Sequence, residues 1–104
     1  MDIFVYTQFR FEWDEAKDAS NATKHGVGFR EAATLFTDPE ALDGADLAHS
    51  GGEWRSLRIG RTHSGRILVV AYTVRRRNTG AEAIRIISAR PANRRERAAY
   101  ATKP

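Results

Sequence analysis

The segment RILVVAYTV, from Arg66 to Val74, constrains the fold of this 104-residue chain more than any other stretch. Successive side chains of a strand point to opposite faces, and here both alternating sets of positions are mainly apolar. A strand of this kind is buried on both faces and lies in the interior of a sheet. The segment therefore predicts a sheet in which this strand is central.

Strand candidates around this segment predict an antiparallel meander of three or four strands. WRSLRIGR, Trp54 to Arg61, alternates apolar and polar residues and is joined to the central segment by the turn Thr62 to Gly65. A basic hairpin turn, Arg75 to Gly80, leads to the next strand, Ala83 to Arg90. A weaker segment, Ala41 to Leu47, is predicted as an edge strand.

The chain ahead of the meander is predicted to form one strand and two helices. In FRFEW, Phe9 to Trp13, aromatic and charged residues alternate, so the three aromatic side chains share one strand face. The first helix runs from Asp14, a good N-cap, to His25 and ends at Gly26. Its apolar face is thin and comprises Ala16, Ala19, Ala22 and Thr23. The second helix, from Gly28 to Thr37, carries a core stripe of Phe29, Ala32, Ala33 and Phe36.

A third helix is predicted after Pro91, with a crowded cationic surface. Its arginines are Arg94, Arg95 and Arg97, and its packing side is predicted to comprise Ala98, Ala99 and Tyr100. The layout is α+β: a small antiparallel sheet with two N-terminal helices and one C-terminal helix, in a single domain spanning 1–104. We expect the helices to cover one face of the sheet and to leave the other open for a ligand.

Charge is distributed unevenly along the chain. Residues 1–54 contain 4 Lys and Arg against 11 Asp and Glu, whereas residues 55–104 contain 13 Lys and Arg against 2 Asp and Glu. Twelve of those thirteen cations are arginines, whose planar fork suits phosphate. The basic half indicates an anionic partner, with nucleic acid the first candidate. The alternative is that the acidic half folds back and neutralises the basic half.

Several classes of function are excluded or disfavoured. The absence of cysteine excludes disulfides and thiol chemistry, and the three histidines show no metal-ligand spacing. No phosphate-binding glycine loop and no nucleophile-elbow serine are present. We therefore expect no metal and no cofactor. Because no apolar run is long enough to cross a membrane and the start does not resemble a signal peptide, a cytoplasmic protein is expected.

Arg85 is the most unusual charged residue, because it lies among the aliphatic residues of IRIIS. A buried arginine needs an anion, and that anion is either an internal carboxylate or an external phosphate. Arginines and lysines that stabilise a phosphate, together with one base, are sufficient to cleave RNA, since RNA supplies its own 2′-hydroxyl nucleophile. DNA lacks this hydroxyl, so the chemistry is restricted to RNA.

The polar residues available for this chemistry are spread along the chain. Candidates for catalysis are Lys24, His25, Glu53, Arg61 and Arg85, and candidates for RNA binding are Arg55, Arg58, Arg90 and Arg94. Structural interpretations stand beside these hypotheses. Lys24 and His25 are typical of a helix C-terminus, Glu53 is able to pair with a nearby arginine, and Arg94 belongs to a solvated helix surface. Trp54 is either a core residue or a platform on which a base stacks.

Five segments in one order resemble the BrnT family of bacterial toxins. They are FEWDEAK (11–17), Asn21 followed by KHGVGFREA (24–32), FTDP (36–39), GEWRSLRIGRTHSGRILVVAYT (52–73) and IRIISARPANRRERAAY (84–100). The similarity covers about residues 11–100. The stretch before Phe11 is longer than the usual short start of the family, with oligomer contacts as one possible role. The turn Arg75 to Gly80 is unusually basic and extends the expected RNA-binding surface.

The resemblance implies a RelE-like fold and a ribonuclease toxin of a type II toxin–antitoxin system that inhibits translation. It also implies a BrnA-like ribbon-helix-helix antitoxin, through which alone the toxin would reach operator DNA. By position, the family's functional residues correspond to Lys24, His25, Glu53, Arg55, Arg61 and Arg85, with Arg90 and Arg94 as secondary candidates. The base is either Glu53 or His25. The alternative function is a non-catalytic antitoxin-binding protein that acts as a co-repressor.

Overall fold

The computed structural model describes residues 3–6, 9–50, 53–76 and 80–102, and the side chains of residues 3, 6, 45–50, 53 and 54 lie outside this description. The elements in chain order are β1 (Ile3–Tyr6), β2 (Phe9–Glu12), α1 (Glu15–His25), α2 (Phe29–Thr34) with a following 3-10 turn (Leu35–Thr37), β3 (Leu42–Ser50), β4 (Glu53–Arg61), β5 (Ile67–Arg76), β6 (Glu82–Pro91) and α3 (Arg94–Thr102). The basic turn predicted at 75–80 lies partly outside the described residues. No helix in the described ranges has the length and apolar character needed to cross a membrane.

The α+β class is confirmed, but the expected sheet is wrong in size and in strand direction. Six strands form one sheet in the order β1-β2-β6-β5-β4-β3, so β5 lies in its interior as predicted. The segment β3 to β6 is the predicted antiparallel meander, here with four strands. The sheet is mixed because β2 pairs with β6 in parallel, with Phe11 opposite Ile84 and Glu12 opposite Arg85.

One face of the sheet, which we call the helix face, carries the main core beneath α1 and α2. The four residues of the stripe predicted for the second helix, Phe29, Ala32, Ala33 and Phe36, are all buried. The α-helix itself ends at Thr34, before the predicted Thr37, and Phe36 lies in the 3-10 turn that follows. Phe9, Phe11 and Trp13 also belong to this core as predicted. Phe11 and Phe29 are fully buried, and each contributes about 2–3 kcal/mol through removal of apolar surface from water. We call the opposite side of the sheet the second face.

A β-bulge in β6 decides which of its side chains reach each face. The pairing with β5 shifts between Ala71 and Tyr72, so that Ile86 lies opposite Tyr72 and Ser88 lies opposite Ala71, with Ile87 as the extra residue. Ile86 and Ala89 consequently both join the core of the helix face. Strand alternation then assigns Arg85 and Arg90 to the second face.

The ends of α1 are as predicted, but its inward side is not apolar. The Asp14 side chain accepts hydrogen bonds from the backbone N–H groups of Ala16 and Lys17, and Gly26 ends the helix with a φ of 70°. The predicted apolar face of Ala16, Ala19, Ala22 and Thr23 is wrong, because all four are exposed. Asn21 is the buried residue of the helix.

Hydrogen bonds from Asn21 attach α1 to the sheet. Its Nδ2 donates to the carbonyl oxygens of Val27 (2.9 Å) and Ala89 (2.7 Å), and its Oδ1 accepts from the N–H of Ala89 (3.2 Å). Because β2 pairs with β6 only at Ile84 and Arg85, the edge of β6 at Ala89 has no strand partner there. The amide of Asn21 takes the place of that partner, which explains why a polar residue faces the core.

α3 does not join α1 and α2 on the helix face, so the expectation that all helices cover one face is wrong. It contacts β4, where the ring of Tyr100 lies 5.8 Å from the guanidinium carbon of Arg61. Gly60 approaches Leu35 on the helix face, so alternation turns Arg61 toward the second face. Tyr100 is buried as predicted, whereas Ala98 and Ala99 are exposed. α3 therefore lies at the Arg61 end of the second face.

The turn between β4 and β5 is fastened to α2 by Glu31. Its carboxylate accepts hydrogen bonds from the side chains of Thr62 and Ser64 and from Arg66, with 2.8 Å between Arg66 Nε and Glu31 Oε2. The hydrogen bond from Arg66 is the main cause that lowers the pKa of Glu31 from an ordinary value of 4.5 to about 2.

The lowered pKa predicts a loss of stability in acid. The stabilisation by Glu31 is complete above pH 4.5 and is lost as the pH falls toward about 2. Because Arg66 is 41% exposed, we discount the shift for solvent screening and expect a loss of about 1–2 kcal/mol. Urea unfolding at pH 6 and pH 2.5 measures it. Between pH 6 and pH 2.5 the variant Glu31→Gln should lose about 1–2 kcal/mol less stability than the wild type. Equal losses in the two proteins would show that the Glu31 carboxylate is not the cause.

Candidate functional site

Arg85 has a carboxylate partner inside the protein. Its Nη1 lies 3.3 Å from Oε2 of Glu12 on the neighbouring strand, and the side chains are 20% and 5% exposed respectively. Of the two anions that the sequence left open, the internal carboxylate is therefore present in this structure. The pairing explains how Arg85 is accommodated in an aliphatic strand.

Polar residues from four adjacent strands line up across the second face, and we call them the cross-strand row: Glu12, Arg85, Thr73 and Arg55. Glu12 and Thr73 are the neighbours of Arg85 on its two sides. The pairing of β4 with β5 ends at Ser56 opposite Tyr72, and Arg55 and Thr73 are the next residues of the two strands beyond that pair. Residues opposite each other have Cβ atoms about 4.5–5.5 Å apart, so these side chains share one small region.

The row is largely shielded from solvent. Glu12 is 4% and Thr73 is 6% exposed, whereas Arg55 and Arg85 are half-buried. The hydroxyl oxygen of Thr73 is buried and has no hydrogen-bond partner among the residues that the structure describes. Neither Glu12 nor Thr73 was a predicted site residue. The sequence did show an acid, Glu12, alternating with aromatic residues. It did not show that β6 is the strand beside Glu12, and that pairing is what brings Glu12 to Arg85.

Arg61 lies at the other end of the second face, beside α3. Its Nη1 donates to the carbonyl oxygen of Gly65 (3.2 Å), and its backbone N–H donates to Oδ2 of Asp38 (2.8 Å). The same Asp38 oxygen accepts from the hydroxyl of Tyr100 at 2.7 Å. Burial, followed by this hydrogen bond, raises the pKa of Tyr100, which stays protonated as a donor at neutral pH. Arg61 is exposed and accessible to a ligand at this end.

Arg90 is held against the first turn of α3. It forms two hydrogen bonds with the carboxylate of Glu96, at 2.7 and 2.8 Å, and these lower the pKa of Glu96. Glu96 and Asn93 also cap the helix reciprocally through backbone N–H groups. Arg94 and Arg95 are exposed and have no ion pair or hydrogen bond within the described residues. They are the most available cations of α3.

Arg58, predicted to bind RNA, lies on the helix face. Its guanidinium forms a fork with the carboxylate of Asp43, at 2.6 and 3.1 Å, and lies over the rings of Phe36 (4.5 Å) and Tyr72 (5.5 Å). Tyr72 donates a further hydrogen bond to Asp43, and burial raises the pKa of its hydroxyl. These contacts give Arg58 a structural function that competes with RNA binding.

The predicted catalytic residues fall into two separated groups. Lys24 and His25 end α1 next to Gly26, whose carbonyl accepts from Arg66 at the β4–β5 turn. Arg61 lies opposite Ile67 at the same end of β5, whereas Arg85 lies opposite Thr73. Six residues along β5 separate these positions by about 20 Å. Glu53 begins β4 near Arg55, but its side chain lies outside the described structure.

The charge asymmetry is partly neutralised inside the molecule. Within the described residues, three ion pairs join an acid of the first half to an arginine of the second: Asp43 to Arg58, Glu31 to Arg66 and Glu12 to Arg85. Part of the basic half is thus unavailable to an external partner. The described residues contain no cluster of three or more histidines and carboxylates that could hold a metal ion.

Comparison with known proteins identifies one family. A family model described as the ribonuclease toxin BrnT of type II toxin–antitoxin systems matches residues 13–96. A search of curated proteins finds no match. The matched range covers most of the chain and includes Thr73, Arg85 and the predicted site residues.

Proposed function

The chain belongs to the BrnT family, the ribonuclease toxins of type II toxin–antitoxin systems, and from this premise we propose that it cleaves RNA without a metal ion. The family match over residues 13–96 is the observation that carries the proposal. Cleavage would inhibit translation in the cytoplasm. A BrnA-like ribbon-helix-helix antitoxin would neutralise the toxin and carry the complex to operator DNA. We retain the RelE-like description of the fold as part of this proposal.

The proposed reaction uses the nucleophile within the substrate. A base removes the proton of the ribose 2′-hydroxyl, and the oxygen attacks the adjacent phosphorus. The bond from phosphorus to the 5′-oxygen of the next nucleotide breaks, and that oxygen takes up a proton. The products are a 2′,3′-cyclic phosphate and a 5′-hydroxyl. Guanidinium groups stabilise the additional negative charge that develops on the phosphate oxygens.

The geometry supports the cross-strand row as the place of the scissile phosphate. Arg85 lies opposite Thr73 there and Arg55 follows the last β4–β5 pair, so the row brings two residues with forked guanidinium donors to one region of the second face. Arg61, about 20 Å away along β5, would hold RNA on one side of the cleaved bond. Lys24 ends α1 on the helix face and is therefore not part of this track. Arg94 and Arg95 would extend that surface by electrostatic attraction.

The position of the row favours Glu53 over His25 as the base. Glu53 begins β4 two residues before Arg55, whereas His25 lies at the end of α1 near the opposite end of β5. We expect Glu53→Gln to lower the cleavage rate by about 100-fold, the lower end of the usual contribution of a general base. His25→Gln should change it by less than about fivefold. The reverse result would move the site to the Arg61 end.

Expression of the chain without an antitoxin tests the proposed function in cells. We expect growth to stop and new RNA 5′ ends to appear at defined positions within minutes of induction. The double variant Glu12→Gln with Arg85→Gln, which removes the buried pair together, serves as the inactive control for effects of overproduction. Unaffected growth with intact RNA would overturn the proposal and favour the non-catalytic co-repressor.

A further inference from the structure

The hydroxyl of Thr73 is the feature of the cross-strand row that the fold does not explain. It is buried and has no hydrogen-bond partner among the described residues. Burying a hydroxyl without a partner destabilises the folded state, and a valine at this position of β5 would fit the sheet without that cost. Buried polar atoms are almost always hydrogen-bonded, so an unsatisfied one in a site indicates a missing ligand.

The two residues beside Thr73 indicate the chemistry of that ligand. Arg85 lies opposite it on β6, and Arg55 is the residue of β4 that follows the last β4–β5 pair, Ser56 with Tyr72. The side chains at all three positions point to the second face by strand alternation. Two guanidinium groups and one hydroxyl supply N–H and O–H donors to the same region, which suits the two negatively charged non-bridging oxygens of an RNA phosphate.

Glu12 restricts how Arg85 is presented. Nη1 of Arg85 lies 3.3 Å from Oε2 of Glu12, and Glu12 is nearly inaccessible to solvent. A guanidinium carries five N–H donors in a fixed planar arrangement, so a carboxylate beside it fixes the orientation of all of them. Glu12 thus limits the directions in which the guanidinium can turn.

From these observations we propose that Thr73 is a phosphate ligand: its hydroxyl donates to a non-bridging oxygen of the RNA phosphate held by Arg85 and Arg55, while Glu12 positions Arg85. This inference rests on the proposed function, because it names a further residue of the same site. The hydroxyl is covered in the free protein, so the phosphate reaches it when a neighbouring side chain moves aside. The long side chains of Arg55 and Arg85 are half-buried and are the groups that would move.

Binding of an uncleavable RNA tests the ligand role apart from catalysis. The probe is a fluorescent single-stranded RNA with 2′-O-methyl groups throughout, titrated with the whole protein. We expect Thr73→Val to weaken binding by about fivefold, the value of one hydrogen bond of about 1 kcal/mol, and Thr73→Ser to stay within twofold of the wild type. The control Thr37→Val removes a hydroxyl that bonds to Thr34 on the helix side, and it should bind as the wild type does.

Stability and cleavage separate the possible failures. Thr73→Val should unfold at the same urea concentration as the wild type or a higher one, because the lost hydroxyl has no described partner. Its cleavage of unmodified RNA should fall by about tenfold and be restored by Thr73→Ser. Unchanged binding by Thr73→Val overturns the inference. The ribonuclease function is judged separately, by whether the wild-type protein cleaves unmodified RNA. Failure of the Thr73 inference and failure of the proposed function therefore give different results.

Discussion

Exchange of Arg85 for alanine is expected to lower the rate of RNA cleavage by about 1000-fold and the free energy of unfolding by about 3 kcal/mol. The first effect follows from loss of a cation at the phosphate. The second follows because Glu12, 4% exposed, would lose the guanidinium that compensates its buried charge. We choose the lower end of the usual cost of breaking a buried ion pair, because the side chain of Arg85 is 20% exposed to solvent.

The two effects can be separated by changing Glu12 as well. The double variant Glu12→Gln with Arg85→Gln removes both charges together, so it should recover most of the lost stability and none of the activity. Arg85→Lys keeps the charge but not the fork, and should keep more activity than Arg85→Gln. Urea unfolding and single-turnover cleavage measure both properties. A double variant that cleaves RNA at the wild-type rate would exclude Arg85 from the site.

Exchange of Asn21 for alanine is expected to lower the free energy of unfolding by about 3–4 kcal/mol, because backbone groups at the edge of β6 lose their hydrogen-bond partners. The change removes three hydrogen bonds made by the Asn21 side chain. The backbone N–H and C=O of Ala89 and the C=O of Val27 each lose their bond to Asn21. Buried backbone groups that lose their partners cost more than the bonds themselves contributed.

Two further variants define the origin of that loss. Asn21→Asp keeps the acceptor for the N–H of Ala89 but lacks both donors, so it should remain destabilising. Ser20→Ala changes the exposed neighbouring residue and should stay within about 0.5 kcal/mol of the wild type. Urea unfolding at pH 7 measures all three. A loss below about 1 kcal/mol for Asn21→Ala would show that apolar packing attaches α1.

The sequence predicted most elements of the fold because their signals are local. Asp14 and Gly26 mark the ends of α1 by capping chemistry, and the spacing of Phe29, Ala32 and Ala33 defines the buried side of α2. The parallel pairing of β2 with β6 joins residues about 70 positions apart, and no local pattern records it. Asn21 illustrates the same limit, since its partner Ala89 is known only from the sheet.

The candidate site was predictable in kind but not in arrangement. The need of Arg85 for an anion follows from its aliphatic neighbours, yet the choice of Glu12 depends on the strand pairing. Counting charges by chain half was misleading for Arg58, because Asp43 on the adjacent strand already pairs with it. The separation of Arg61 from Arg85 arises from their positions along the meander, which spacing in sequence does not give directly.

Cleavage of a synthetic RNA by the purified protein in EDTA tests the central claim most directly. The substrate pair consists of one single-stranded RNA and the same RNA with a single 2′-deoxynucleotide at the position of cleavage. We predict cleavage of the first, with 2′,3′-cyclic phosphate and 5′-hydroxyl ends, and no cleavage of the second at that position. Cleavage that EDTA abolishes, or cleavage at the 2′-deoxy position, would contradict metal-independent attack by the 2′-hydroxyl.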